Sequence, residues 1–163
     1  MIVVCNTSPI TNLARVGSLS ILKRLYGEVF IPTAVQQEIE QGIGLLRHAS
    51  DFFEMHDWIR VRHVSNTNRV RDLLTLLGRG EAECIVLAIE LQADLLIIDE
   101  RRGSRLAREH GLRCTGILGV LLDAKSQGVL DKVKPVVDAL REQANFWLSD
   151  TICESFLKKA GEV

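Results

Sequence analysis

The run from Gly80 to Glu100, GEAECIVLAIELQADLLIIDE, constrains the fold of this chain more than any other segment. It reads as an acidic helix start, an apolar helix from Glu81 to Gln92, a short buried strand over Leu95–Ile98, and two acids, Asp99 and Glu100, at the strand end. Such a helix climbs roughly 17 Å at about 1.5 Å per residue. The strand and its flanks return a similar length at about 3.3 Å per residue. A βαβ crossover sets the helix antiparallel to its strands, so the helix start and the strand end share one edge of the sheet. Glu81 is therefore expected beside Asp99 and Glu100. Carboxylates gathered there repel one another unless a cation lies among them, and a divalent metal is the natural choice.

The rest of the chain repeats this alternation. Ile2–Cys5 is a buried-strand run, and Ser8 before Pro9 is a helix start, with Ser8 expected as the cap. A helix over Leu19–Tyr26 closes at Gly27, and Val29–Ile31 is a second strand broken by Pro32. Thr33 is expected to cap a helix over Ala34–Gln41 that Gly42 ends, and the mixed pattern of Gly44–Asp57 reads as helix. Trp58–Val64 alternates as a half-exposed edge strand does, and Asn66 or Thr67 opens a helix reaching Leu77. Beyond Glu100 come a helix over Gly103–His110, a strand at Leu112–Thr115 and a helix over Ile117–Ser126. Residues 131–163 form a helical C-terminal tail in two pieces, Lys134–Gln143 and Thr151–Lys159, the second with a Thr151-x-x-Glu154 capping box. The predicted class is α/β, with a mainly parallel central sheet flanked by helices and one domain over 1–163. Sites in such sheets lie beyond the carboxyl ends of the strands.

Composition narrows the function classes. A net charge of −1 gives no global basic field, so any nucleic-acid contact must rest on a local patch. Cys5, Cys84, Cys114 and Cys153 form no CxxC pair and read as buried free thiols of a reducing cytoplasm. No leader and no membrane span is expected. Gly78-x-Gly80 lacks the third glycine of a dinucleotide fingerprint, and no phosphate-loop lysine follows. The four histidines show no ligand spacing.

Asn6, Asp99 and Glu100 fall directly at the expected strand-end edge, Glu81 reaches it from its helix start, and Glu38 lies in the second turn of the helix that leaves it. Hard cations such as Mg²⁺ or Mn²⁺ take oxygen donors of this kind. Each acid also has a plain structural reading: Glu81 as helix-dipole partner, Glu38 as a solvated helix residue, Asp99 as a turn cap. Arg101, Arg105 and Arg108 recur at helical spacing and, with Arg102, form a basic face beside the edge. That face reads either as a phosphate contact or as a solvated surface paired with Glu100 and Glu109.

The segments Asn6-Thr7-Ser8-Pro9, Phe30-Ile31-Pro32 leading to Glu38, Gly80-Glu81-Ala82-Glu83 and Leu96–Arg102 together resemble a PIN domain, from Ile2 to about Leu130. The likeness is strongest to a bacterial PIN-like group that opens with Asn-Thr-Ser/Thr-Pro and is related to VapC-type toxins. The resemblance implies a Rossmann-like three-layer fold and a Mg²⁺- or Mn²⁺-dependent endoribonuclease. It implies that Asn6, Glu38, Glu81 and Asp99, with Glu100 as an additional member, line the metal site. Glu38, Glu81 and Asp99 would be its catalytic carboxylates, and Arg101, Arg102 and Arg105 its RNA contacts. Partners implied are RNA, an antitoxin protein and a second copy of the chain. Apolar residues in Ile117–Leu122 and around Phe146-Trp147 add to the expectation of a homodimer. One departure stands out: the usual PIN pattern has Asp after the first strand, where this chain has Asn6. An amide oxygen brings no charge and cannot act as a base. The competing expectation is therefore a non-catalytic PIN scaffold that binds nucleic acid or protein. A phosphoacceptor domain would need an Asp and a partner Lys at other strand ends, and the sequence offers neither clearly.

Overall fold

The computed structural model describes residues 1–43, 51–99, 101–144 and 146–163. Five short strands form one sheet: β1 (Val3–Cys5), β2 (Val29–Pro32), β3 (Ile59–Arg62), β4 (Leu95–Ile97) and β5 (Cys114–Thr115). Their order is β3-β2-β1-β4-β5, and each pairing is parallel. Parallel neighbours require crossovers, which the helices supply. These are α1 (Thr7–Arg15) and α2 (Ser20–Tyr26), then α3 (Thr33–Ile43) and α4 (Phe52–Met55), then α5 (Thr67–Leu73) and α6 (Arg79–Glu90). They are followed by α7 (Arg101–Glu109), α8 (Ile117–Ser126), α9 (Lys134–Gln143) and α10 (Asp150–Lys159). Helices α3, α5 and α6 pack together on the sheet, α2 packs with α8, and the whole is a three-layer α/β arrangement.

The chain winds outward from β1 through β2 to β3, then returns to the other side of β1 with β4. The order thus reverses between β1 and β4, and the crevice outside their carboxyl ends is where such folds place ligands. Registers Val3↔Leu95 and Cys5↔Ile97 hold these two strands level. Val3, Val4, Cys5, Leu96 and Ile97 are fully buried, as strands covered on both faces require. Ile85 and Leu87 of α6 and Leu121 of α8 complete this core. Each large aliphatic buried in this way contributes about 1.5–3 kcal/mol. At the sheet edge β3 alternates instead: Ile59 is buried, Arg60 exposed, Val61 half-buried and Arg62 exposed.

Helices α8 and α9 begin and end where the pattern places them. Elsewhere local signals were overridden. Asn6, not Ser8, occupies the cap position of α1. Gly42 does not end α3, which continues to Ile43. Helix α5 stops at Leu73, short of Leu77, after Asn66 caps it by accepting from Arg69 N–H at 3.0 Å. The tail helix α10 is capped by Ser149, whose Oγ accepts from Ile152 N–H, and not by Thr151. Of the expected helix over Gly44–Asp57, residues 44–50 lie outside the described residues. The apolar surplus expected in Ile117–Leu122 is small: Ile117, Val120 and Leu121 are fully buried and Leu118 and Leu122 half-buried, because α8 packs against β5 and α2. Trp147, by contrast, is 85% exposed.

The tail is fastened at its end. Glu162 accepts from Lys125 Nζ and Val133 N–H at 2.8 Å each and from Lys134 N–H at 3.0 Å, closing the start of α9. These donors hold its carboxyl at about 2, below the usual carboxylate range, against the opposing effect of burial. Among the described residues no helix is long and apolar enough to cross a membrane.

Candidate functional site

Asn6 is the first residue past β1, and its N–H still donates to Ile97 O of β4 at 2.9 Å. It therefore sits at the reversal point of the sheet, only 4% exposed. Its side chain makes no capping bond to α1. Instead Oδ1 lies 3.8 Å from the Cys84 thiol, which α6 brings up beneath the edge and which also approaches Cys5 O at 3.6 Å. Asp99, two residues past β4, faces the same crevice. Its Oδ1 accepts from Ile117 N–H at 2.8 Å and so caps α8. The carboxylate lies in the space that a Cβ on Gly116 would fill. Only glycine at the end of β5 lets the acid lie this close to the chain.

Glu38 and Glu81 both lie at the start of α6, against different residues of its first turn. The Glu38 carboxylate accepts from the Thr7 hydroxyl and rests on Gly80, where a Cβ would come within 2.6 Å of Oε1 and 2.7 Å of Oε2. Glu81, one residue on, is half-buried with Oε1 against Gly78. The buried thiols below register this charge. Burial pushes the Cys84 thiol up, and the neighbouring Cys5 thiol and the carboxylates of Glu38, Glu83 and Glu81 push it further. Burial and then Asp99 do the same to Cys5. Both cysteines are therefore neutral thiols in the floor of the site and not nucleophiles.

Thus Asn6 and Asp99 flank the β1–β4 crevice, while Glu38 and Glu81 share the first turn of α6. Glu100 lies outside the described residues. The donor set fits a hard divalent cation in kind, since it offers only carboxylate and amide oxygens and two of the carboxylates are cradled by glycines. Among the described residues, however, no three His, Cys, Asp or Glu side chains converge on one point. In this arrangement Asp99 and Glu38 are held by protein donors, and Asn6 contributes no charge.

Arg101, Arg102, Arg105 and Arg108 are all exposed and line an open depression of about 650 Å³. Arg101 and Arg102 also share a cleft of about 410 Å³ with Gly78 and Glu81. Arg102 donates to Leu76 O at 3.2 Å, and Arg105 lies 3.9 Å from Glu109. For four further contributors the sequence did not reveal the partner. Gly80 and Gly116 matter through contacts with acids distant in the chain. Thr7 donates its hydroxyl to Glu38, a partner 31 residues away in the sequence. Glu83 accepts from Ala34 N–H at 3.2 Å and pairs with Arg79 at 3.5 Å, so it caps α3 from α6. The glycine of Gly80-Glu81-Ala82-Glu83, placed inside a helix start where Ala would favour the helix, is the one signal that pointed to a close approach.

No curated protein matches this sequence. A family model described as a PIN domain matches residues 2–162, nearly the whole length, with the acids at the carboxyl edge of a parallel sheet. The chain belongs to the PIN domain family, a nuclease-type fold.

Proposed function

We propose that this protein is a metal-dependent endoribonuclease whose site is attenuated by Asn6. The observation that carries the reading is the meeting of four chain segments at one sheet edge: Asn6 and Asp99 across the β1–β4 reversal, and Glu38 against the first turn of α6 beside Glu81. PIN domains use divalent metals. Here Glu38, Glu81 and Asp99 would hold Mg²⁺ or Mn²⁺, with Asn6 as a neutral oxygen donor and Glu100 as a further member. The metal, when bound, supplies a Lewis acid that lowers the pKa of water and neutralises a phosphodiester. The chain's own groups do the rest. Thr7 orients the Glu38 carboxylate, Ile117 N–H fixes Asp99, and Arg101, Arg102 and Arg105 present guanidinium groups to phosphate. The four free cysteines suit the cytoplasm, and exposed Trp147 suits contact with a second copy or an antitoxin.

A second reading, a non-catalytic scaffold that binds nucleic acid or protein, is favoured by the neutral amide at Asn6 and the absence of a converged acid group among the described residues. Labelled single-stranded RNA, incubated with wild type and with Asp99→Asn in Mn²⁺ and in EDTA, distinguishes the two. The substitution keeps the Oδ1 acceptor for Ile117 and removes only charge. Slow Mn²⁺-dependent cleavage that EDTA and Asp99→Asn both abolish supports the enzyme. Wild type that binds the RNA and leaves it intact supports the scaffold.

A further inference from the structure

The first turn of α6 divides the carboxyl edge into two basic clefts. Gly78 and Glu81 face the cleft shared with Arg101 and Arg102. Arg79 and Glu83, one turn apart on the same helix face, look the other way, into a groove of about 410 Å³ between the starts of α3 and α6 and helix α5. Gly80, between them, carries the Glu38 carboxylate. The second groove has a floor of Val64, Val70 and Leu74, with exposed Arg71, Arg79 and His63 at its rim. Thr33 ties His63 in place through a 3.0 Å contact to Nδ1. Among the described residues its one lining carboxylate, Glu83, is engaged by Ala34 N–H and Arg79, so Arg71 leaves the rim with a net positive charge.

Resting on the ribonuclease reading, we propose that this groove is a nucleotide subsite: a single-stranded RNA chain crosses the first turn of α6 at Glu81, held by the α7 arginines on one side and by Arg71 and Arg79 on the other. The volume falls in the range of small-ligand pockets. Branched aliphatic side chains offer a face for one base, and planar guanidiniums at the rim match phosphate oxygens or stack on a base. The clefts are separated by one helix width, about 10 Å, so an extended polyanion can occupy both while its backbone passes the carboxylates between them. An isolated acidic side chain of a protein partner has no reason to require two basic clefts across an acidic ridge.

The test is equilibrium binding of fluorescein-labelled hexauridylate in EDTA, followed by anisotropy over a range of salt. Because no cleavage occurs, the outcome does not depend on whether the chain is an active enzyme. Arg71→Ser is compared with Arg69→Ser, which removes the same charge from the same helix outside the groove, and thermal melts verify folding of both. The expected result is roughly tenfold weaker binding for Arg71→Ser, with a salt slope reduced by about 1, against less than twofold for Arg69→Ser. Equal losses in the two variants would reduce the groove to part of a diffuse field and overturn the subsite. So would unchanged binding in Arg71→Ser, or wild type that binds no RNA. If binding follows the subsite pattern but Mn²⁺ supports no cleavage, the groove stands and the nuclease reading fails.

Discussion

Replacing Gly80 with alanine separates the stability of this edge from its chemistry. The new methyl would stand 2.6 Å from Glu38 Oε1 and 2.9 Å from Cδ, where ordinary contacts begin near 3.4 Å. The Glu38 carboxylate, at the end of a flexible side chain, must retreat by about 0.8 Å or more and give up its bond from Thr7. That hydrogen bond is worth about 1 kcal/mol, and alanine in place of glycine within a helix returns up to about 1 kcal/mol. The net stability change should stay within about 1 kcal/mol, or roughly 2–4 °C in melting temperature for a chain of this size. The chemistry tolerates the shift far less well, since a misplacement of about 1 Å can lower a rate about 100-fold. Gly42→Ala is the control: nothing lies within 4 Å of its Cβ, so the helix gains and cleavage is untouched. Melts and Mn²⁺-dependent RNA cleavage on all three proteins read this out. Gly80→Ala with full activity would show that Glu38 has no part in the reaction. A melt lowered by ten degrees would show that the cradle is structural.

Glu162 sets an acid limit on the tail. Its folded value of about 2 lies below the ordinary glutamate value of 4.5, so its stabilisation is fully present above about pH 4.5 and is lost as pH falls toward 2. After allowance for solvent screening this is about 1–2 kcal/mol, and Glu162→Gln should flatten that part of the stability–pH curve measured by urea denaturation. Arg101→Glu with Arg105→Glu should weaken RNA binding and flatten its salt dependence while leaving the melt almost unchanged, because both side chains are exposed. Thiol labelling of the native protein should reach half-buried Cys114 first and leave Cys5 and Cys84 untouched until unfolding.

Much of the fold was legible because hydrophobic period is a local property. The buried runs of β1 and β4 and the α8 and α9 boundaries follow from it, and strand-helix alternation then fixed a parallel sheet. What escaped depends on partners far along the chain. Ser8 and Thr151 carry cap chemistry, yet the cap positions fall to Asn6, which makes no side-chain capping bond, and to Ser149, which does, where the chain leaves extended geometry. Gly42 reads as a stop, but nothing there requires left-handed backbone and the helix passes through. The placement of Asn6, Asp99, Glu81 and Glu38 at one edge could be read from their positions after strands or at helix starts. The glycines that seat two of those acids could not, because Gly80 meets Glu38 and Gly116 meets Asp99 only once the sheet is assembled.

The role of Asn6 is tested most directly by Asn6→Asp, set beside wild type in a Mn²⁺ titration read by thermal shift and by RNA cleavage. The substitution restores one negative charge at the β1–β4 reversal without changing side-chain size. Metal should bind more tightly, since a charged oxygen holds a hard cation better than an amide does, and cleavage should rise with occupancy. In metal-free buffer the added charge beside Asp99 should lower the melting temperature. The account predicts a larger Mn²⁺-induced thermal shift and faster cleavage for Asn6→Asp than for wild type. A substitution that leaves both proteins inert to Mn²⁺, or that abolishes an existing activity, would contradict it.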